Sequence, residues 1–183
     1  MNKIDMSKYN DPFTLKSRIR RVVWCVAYTL LFRTFFLNGF RRWRNFILRL
    51  FGAKIGKNTL IYASVKIWAP WNLEVGSFSA IGRHVDLYNQ GKVSIGSNTI
   101  ISQKSYICAS SHHHTTASLV WYSAPVHIHN QVWICADAFI GPGVTIAEGV
   151  VVGARSAVFK DTDPWTVVGG NPAKFIKNRE IKG

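Results

Sequence analysis

Aliphatic residues recur at every sixth position along most of the chain, with small or polar residues between them. Three series of this kind begin at Ile55, Val75 and Ile95, and a longer one runs from Ile128 to Val158. An amphipathic helix would repeat every 3.6 residues and a half-buried strand every two, so neither explains the pattern. A period of six, with one inward aliphatic side chain per unit, is typical of a β-helix built from hexapeptide repeats.

The offsets between the series predict the size of one coil. Ile55, Val75 and Ile95 follow one another at intervals of 20 residues. Three hexapeptides make 18 residues, so we expect three short strands per coil and two additional residues at one corner of the early coils. Ile128 lies 33 residues after Ile95, which predicts a 15-residue insertion in that coil, at about 111–126.

The first 54 residues lack the six-residue period and predict helices. The mostly apolar run 22–32 is too short for a spanning helix, which needs about 20 apolar residues. In the stretch 42–51, one helical face is apolar and the other carries arginines. The apolar positions are Trp43, Phe46, Ile47, Leu50 and Phe51. Two interpretations remain open: a helix lying in an anionic lipid interface, and a helix packing on the following domain.

The sequence therefore predicts a mainly β protein with three parts. A basic amphipathic helical segment covers 1–54, a parallel β-helix with one inserted loop covers 55–170, and a short basic C-terminal tail covers 171–183. With 48% hydrophobic and 13% aromatic residues, the 183-residue chain is excluded from the disordered and low-complexity classes.

The charge of +14 indicates an anionic partner, and its distribution restricts the choice. Residues 1–54 hold 12 basic and 2 acidic side chains and therefore carry +10 of the total. The apolar content of this segment and the lack of a nucleic-acid-reading motif argue against DNA or RNA. Anionic lipid and a phosphorylated ligand remain as the expected partners.

The cysteines and the N-terminus predict a cytoplasmic protein, with peripheral contact at the inner face of the cytoplasmic membrane if the first segment binds lipid. Cys25, Cys108 and Cys135 are odd in number and widely spaced, which indicates reduced thiols. The polar N-terminal sequence does not have the pattern of a signal peptide.

Five short motifs, taken in order, carry a family resemblance: 50–56, 101–112, 132–134, 141–146 and 169–174. With them the chain resembles the hexapeptide-repeat acyltransferases, in particular the colanic-acid-type O-acetyltransferases and the galactoside and maltose acetyltransferases. The resemblance implies a left-handed parallel β-helix, a homotrimer with each site between two subunits, and transfer of an acetyl group from acetyl-CoA to a sugar hydroxyl in surface polysaccharide synthesis.

Such a transfer needs a base near neutral pH, and histidine is the usual one. The chain has six: His84, His112, His113, His114, His127 and His129. The resemblance implies that His112, preceded by Ser111 at the mouth of the insertion, is the general base. It would deprotonate the acceptor hydroxyl, which attacks the thioester directly. His114 is the second candidate.

The resemblance also implies the donor site. Trp133, Ala136 and Ala154 match positions along the pantetheine arm of coenzyme A. No side chain stands out as the oxyanion donor, so we expect a backbone N–H in that role.

Three lysines match positions near the phosphates of coenzyme A, where ammonium groups suit the negative charge. They are Lys160, Lys174 and Lys177. Phe159 stands where the family has threonine, so no hydroxyl contact is expected there.

Acceptor contacts are expected from His84, Asp86 and Asn89, one coil before His112, by the same resemblance. Two alternatives remain: a non-catalytic trimeric scaffold or membrane-surface module, and a zinc enzyme of the γ-carbonic-anhydrase type. The zinc alternative needs two histidines separated by four residues, and this spacing is missing. We therefore expect acetyl-CoA as donor and no metal.

Overall fold

The computed structural model describes residues 3–9 and 11–182 of the chain. Met1, Asn2, Asn10 and Gly183, which belong to the predicted terminal segments, lie outside the described residues. The helical elements are 3-10 turns at Met6–Lys8, Asn38–Phe40 and Pro70–Asn72, helix α1 (Leu15–Ala27), a π-helical turn (Tyr28–Arg33) and helix α2 (Arg41–Leu50). Helix α1 begins where the Thr14 hydroxyl accepts a hydrogen bond from the Ser17 N–H, an N-cap.

The rest of the described chain consists mainly of short strands. In chain order they are β1 (Lys54–Ile55), β2 (Leu60–Ile61), β3 (Lys66–Ile67), β4 (Leu73–Val75), β5 (Ala80–Ile81), β6 (Asp86–Tyr88), β7 (Val93–Ile95), β8 (Ile100–Ile101), β9 (Tyr106–Cys108), β10 (Ser110–His112), β11 (Trp121–Ser123), β12 (Val126–Ile128), β13 (Trp133–Ile134), β14 (Phe139–Ile140), β15 (Thr145–Ile146), β16 (Val151–Val152), β17 (Ala157–Val158), β18 (Thr166–Gly170) and β19 (Ala173–Asn178).

These strands stack into three sheets that form the sides of a prism. Sheet A has the order β1-β4-β7-β12-β15, sheet B β2-β5-β8-β13-β16-β18-β19, and sheet C β3-β6-β9-β14-β17. All neighbours are parallel except β18 and β19. This confirms the predicted parallel β-helix, which has about six turns.

The core of the prism is the column of aliphatic residues that the six-residue period predicts. On sheet B, for example, Ile61, Ile81, Ile101 and Ile134 are all fully buried. Each residue stacks on its counterpart in the next coil, as in the register Ile61↔Ile81↔Ile101. Every coil contributes the same inward positions, so residues that recur at the sequence period stack along the axis of the core.

The extra residues and the insertion lie at one corner, between sheets C and A, which we call edge CA. The edge between sheets A and B is edge AB, and that between B and C is edge BC. At edge CA, the early coils make longer turns and the coil after β9 extends outward as the antiparallel hairpin β10–β11. The segment predicted as a C-terminal tail contains β19. This strand pairs antiparallel with β18 and forms the last strand of sheet B.

The first coil is covered by the helical segment. Along the sheets of the stack, the N–H groups of each coil donate to carbonyls of the following coil, as from Gly56 to Val75, and only certain turn residues donate in the opposite direction. The carbonyls of the first coil therefore have no strand below them. Side chains of α1, α2 and the π-helical turn donate to them: Arg21 to Trp68, Trp24 to Ile67, Tyr28 to Val65, Arg44 to Ile61, Asn45 to Thr59 and Arg49 to Ile55. This cap satisfies groups that would otherwise be buried without partners.

Candidate active site

The inserted hairpin projects His112 from edge CA. In the ladder, His112 lies opposite Trp121 and Ser111 opposite Tyr122. Gln90, in the preceding coil, holds the base of the hairpin: its Oε1 accepts hydrogen bonds from Ser110 Oγ and Trp121 Nε1, both at 2.8 Å. The hairpin is therefore attached to the coil below it by side-chain bonds as well as by the chain itself.

One nitrogen of the His112 imidazole is engaged by the protein backbone, and within residues 3–9 and 11–182 the other has no hydrogen-bond partner. Nδ1 lies 2.7 Å from the carbonyl oxygen of Leu119, and the ring is exposed. A carbonyl oxygen can only accept, so Nδ1 carries the proton and Nε2 of the neutral ring is the acceptor. Thr116 stabilises the loop that supplies this carbonyl, accepting from the Val120 N–H and donating to the His113 carbonyl. The arrangement suits a general base acting through Nε2.

The neighbouring histidines are placed differently. His113 stacks on Tyr122 with ring centroids 4.4 Å apart, and its N–H donates to the Val120 carbonyl. His114, the second candidate for the base, is exposed at the hairpin tip. In the described part of the chain, His112 is the one histidine of the three whose ring tautomer is fixed by a hydrogen bond.

The segment before α1 covers one side of the hairpin. Tyr9 lies 5.9 Å from His112 between ring centroids, and Phe13 lies 5.5 Å from Trp121 and 5.2 Å from Trp68. These contacts could not be predicted from the sequence, because Tyr9 and Phe13 lie in a stretch without a repeat or a motif. They place aromatic surface beside the candidate base.

The predicted pantetheine positions follow edge BC. Trp133 is on the outer side of sheet B, 46% exposed, and its Nε1 donates to Ser102 Oγ at 3.0 Å. Ala136 and Ala154 occupy equivalent turns in successive coils, after β13 and β16. The Ala136 carbonyl accepts from the Arg155 N–H, and Ala154 is exposed. Small residues at both turns leave a shallow track along the edge, which fits an extended chain.

The three predicted phosphate lysines are exposed. Lys160 follows β17, while Lys174 and Lys177 lie on β19 opposite Gly169 and Val167. Within 3–9 and 11–182, none of the three forms an ion pair with a carboxylate. Their ammonium groups are available to an anionic ligand.

The three predicted acceptor residues are separated by the fold. His84 is a left-handed turn residue (φ 59°) at edge BC, and its N–H donates to Ser64 Oγ. Asp86 lies on the outer side of sheet C, with its carboxylate 3.5 Å from the Lys66 ammonium. Asn89 is fully buried, and its amide bonds the backbone of Trp68 and Ala69 in the coil below. The side-chain amide of Asn89 thus stabilises the turn at edge CA through these hydrogen bonds.

Titratable side chains on sheet C beside the hairpin are shifted by burial. Desolvation raises the pKa of Tyr88, Tyr106 and Cys108, so all three remain uncharged at neutral pH. The Tyr88 hydroxyl also accepts a hydrogen bond from Gln90 Nε2 at 2.9 Å. Beside the ion pair of Asp86 and Lys66, this face therefore carries uncharged, partly aromatic side chains next to the hairpin.

Sheet A carries a second polar surface, which the sequence did not single out. Ser94 Oγ and His127 Nδ1 are 2.8 Å apart on adjacent strands. Glu74 lies beside them, and the ammonium groups of Lys54 and Lys92 hold the pKa of its carboxyl below the usual range. In the described ranges, no three His, Cys, Asp or Glu side chains are grouped closely enough to hold a metal ion.

One chain does not bring the candidate base and the pantetheine positions together. His112 extends from edge CA, whereas Ala136 and Ala154 line edge BC, on the other side of sheet C. Six residues separate one edge from the next along a coil, a distance of up to about 20 Å. A site that uses both edges therefore needs a second copy of the chain.

A parallel β-helix built from hexapeptide repeats is the fold of the hexapeptide-repeat acetyltransferases. The family model described as bacterial transferase hexapeptide (six repeats) matches residues 125–160. The chain is 49% identical over 138 residues to the protein named as colanic acid biosynthesis acetyltransferase WcaF in Escherichia coli K12, covering 75% of this chain and 76% of that protein. The chain belongs to the hexapeptide-repeat acetyltransferase family, and it is an acetyltransferase.

Two solved structures have the same fold. A maltose O-acetyltransferase from Clostridium difficile 630 is 30% identical, with a TM-score of 0.80 over 89% of this chain and 88% of that one. A hexapeptide-repeat acetyltransferase of Vibrio cholerae, VCA0836, solved with acetyl coenzyme A, is 20% identical, with a TM-score of 0.82 over 97% of both chains.

Proposed function

We propose that the protein transfers an acetyl group from acetyl-CoA to a sugar hydroxyl in surface polysaccharide synthesis, in the cytoplasm, with His112 as general base. The observation that carries this proposal is the bond from His112 Nδ1 to the Leu119 carbonyl, which leaves Nε2 as an exposed proton acceptor. The similarity to proteins named for colanic acid biosynthesis and for maltose O-acetylation supports a sugar acceptor.

In this reaction Nε2 of His112 takes the proton of the acceptor hydroxyl. The hydroxyl oxygen forms a bond to the thioester carbonyl carbon, and the carbon–sulfur bond breaks. The proton then passes from the imidazolium to the departing thiolate, so the histidine returns to its starting form. The Leu119 carbonyl stabilises the imidazolium between these events, because it already accepts from Nδ1.

The residues of edge BC fit the donor. The turns at the half-buried Ala136 and the exposed Ala154 give a pantetheine arm room to approach the backbone, and the Trp133 indole offers an apolar wall beside them. Lys160, Lys174 and Lys177 are free to pair with phosphates. His84 and Asp86 remain the proposed acceptor contacts, whereas the buried Asn89 supports the turn beneath the hairpin.

We infer that the working form is a homotrimer with each site between two subunits. From β2 to β16, the outer side of sheet B carries an apolar column, with Leu60, Ala80, Ile100, Trp133 and Val151 at paired positions. Ile100 and Trp133 are 48% and 46% exposed in the single chain, which is unusual for a surface that stays in water. A neighbour packed there would also bring its own edge to the first chain.

The proposed function is tested by incubating the protein with acetyl-CoA and a panel of hexoses and hexosides. Thiol release follows donor cleavage, and mass spectrometry detects an acetylated sugar. We expect thiol release that depends on the sugar and matches the amount of ester formed. If no sugar stimulates thiol release and coenzyme A does not bind, the protein is a non-catalytic scaffold.

The shared site is tested by mixing two inactive variants. His112→Ala removes the base, and Ala154→Trp blocks the pantetheine track at an exposed turn. In mixed trimers, about a quarter of the sites would combine an intact histidine with an intact track. We expect the mixture to regain activity after exchange of subunits. Activity no higher than that of the separate variants would show that each site is contained in one chain.

A further inference from the structure

The helical segment is apolar on both of its faces. Its inner face, with Trp24, Phe32, Ile47 and Leu48, is buried against the first coil. An equally apolar outer face points away from the coils. We define this outer face by Leu15, Ile19, Val22, Val23, Val26, Leu30, Leu31, Trp43, Phe46 and Leu50, which are between 37% and 72% exposed. A helix that is apolar all round is normally covered on both sides.

The outer face is continuous from α1 to α2. An apolar groove runs along α1 and the π-helical turn, lined by Val22, Val23, Val26, Ala27, Leu30 and Leu31. The Trp43 indole of α2 joins its far end, donating from Nε1 to the Leu31 carbonyl at 2.8 Å, and its ring lies 5.9 Å from that of Phe46 between centroids. The patch is therefore one surface rather than scattered single residues.

Basic groups surround this surface, and among the described residues of α1 and α2 only Arg18 pairs with a carboxylate, that of Asp11. Between Asp11 and Glu74 the sequence has no acidic residue. Lys16, Arg33 and Arg42 are exposed and, in the ranges the structure covers, make no ion pair. Beside Phe46 opens a polar cleft whose basic lining is Arg41, Arg42, Arg49 and Lys57. An apolar surface next to free cations matches the headgroup region of an anionic bilayer.

We propose that the outer face docks on an anionic phospholipid membrane. Both helices would lie flat in the interface, with Val22, Val26 and Leu30 below the headgroups and the cleft holding lipid phosphates. No helix in the described residues has the length and hydropathy to cross a bilayer, so the contact is peripheral. The docking does not depend on acetyl transfer, so the two proposals are tested independently.

The position of the outer face distinguishes a membrane from a second copy of the chain. Trp24, Arg44 and Arg49 hold the helices against the open end of the first coil, so the outer face looks along the prism axis. Copies that associate through sheet B, on the side of the prism, leave this end uncovered. They would present their outer faces in the same direction, which strengthens attachment to a flat surface.

The test is co-sedimentation of the full chain with phosphatidylcholine vesicles, with and without phosphatidylglycerol. We expect strong binding only with phosphatidylglycerol, weakened by salt. The double variant Val26→Asp/Leu30→Asp should reduce the partition coefficient at least tenfold, because two exposed anchors become charged. Arg41→Gln/Arg42→Gln should weaken binding and its salt dependence. Ile181→Asp, at a 65% exposed apolar site in the C-terminal segment, is the matched control and should bind normally.

A second measurement locates the contact. Brominated lipids should quench part of the tryptophan fluorescence, and Trp43→Phe should remove most of that quenching. Equal vesicle binding by the wild type and the Val26→Asp/Leu30→Asp variant would overturn the proposal. So would a change of that variant's oligomeric state without a change in vesicle binding, because the outer face would then be a contact between copies of the chain.

Discussion

Gln90 should be a positioning residue for the candidate base, and Gln90→Leu is the perturbation that tests it. The side chain makes three hydrogen bonds: it accepts from Ser110 and Trp121 in the hairpin and donates to Tyr88 in its own coil. Leucine has nearly the same volume but cannot make any of them. The hairpin would therefore lose the two side-chain hydrogen bonds that attach it to the coil below.

The size of the effect follows from the two bonds to the hairpin. Each contributes about 0.5–1.5 kcal/mol, so together they contribute roughly 1–3 kcal/mol to the docked hairpin. A loss of this size lowers the docked population relative to open forms by about 5- to 150-fold. We expect kcat to fall by about tenfold, while the KM for acetyl-CoA stays within about twofold, because edge BC is untouched.

The assay is steady-state thiol release, with Gln90→Glu as the conservative variant. A carboxylate can still accept from Ser110 and Trp121, and the Tyr88 hydroxyl can rotate to donate, so Gln90→Glu should recover much of the lost kcat. The reasoning is refuted if Gln90→Leu keeps wild-type kcat. It is also refuted if Gln90→Glu is as impaired as Gln90→Leu.

Three further predictions concern other parts of the molecule. Arg44→Met, which leaves three carbonyls without their buried donor, should lower the unfolding free energy by about 3 kcal/mol, or Tm by roughly 6–12 °C, in thermal denaturation. Lys174→Gln/Lys177→Gln should raise the KM for acetyl-CoA about tenfold with kcat unchanged; unchanged KM would remove both from the donor site. With a thiol reagent at pH 8, the exposed Cys25 should react first, because burial raises the pKa of the Cys108 thiol and depletes its thiolate; a faster Cys108 would contradict this.

The coil could be predicted because one aliphatic residue recurs at every sixth position of the sequence. Every predicted inward position, from Ile55 to Val158, is buried, and the hairpin β10–β11 overlaps the insertion predicted at about 111–126, beginning one residue before it. A repeat fixes which side chains face inward because each unit meets the same neighbours in the coils above and below.

The helical segment was predictable only in part, because amphipathicity does not say which face meets the protein. The sequence of α2 left two interpretations open, a helix in a lipid interface and a helix packed on the following domain. In the structure Arg44 and Arg49 bond carbonyls of the first coil, while Trp43, Phe46 and Leu50 face outward. The unpaired carbonyls that require these donors exist only once the coil has formed.

The site depends on contacts that a linear pattern does not contain. A resemblance pointed to His112, but its partner Leu119 is seven residues away across the loop, and the anchor Gln90 is in another coil. Asn89 and Gln90 are adjacent in sequence and both polar. The direction of each side chain at the turn decides that Asn89 supports the coil and Gln90 holds the hairpin.

The central claim is that Nε2 of His112 takes the acceptor proton, and one comparison tests it most directly. Thiol release from acetyl-CoA with a responsive sugar is measured for the wild type and His112→Ala, together with coenzyme A affinity by calorimetry. We predict a fall in kcat of about 100- to 10,000-fold with coenzyme A affinity unchanged. A His112→Ala enzyme that keeps wild-type kcat while binding coenzyme A normally would contradict the account.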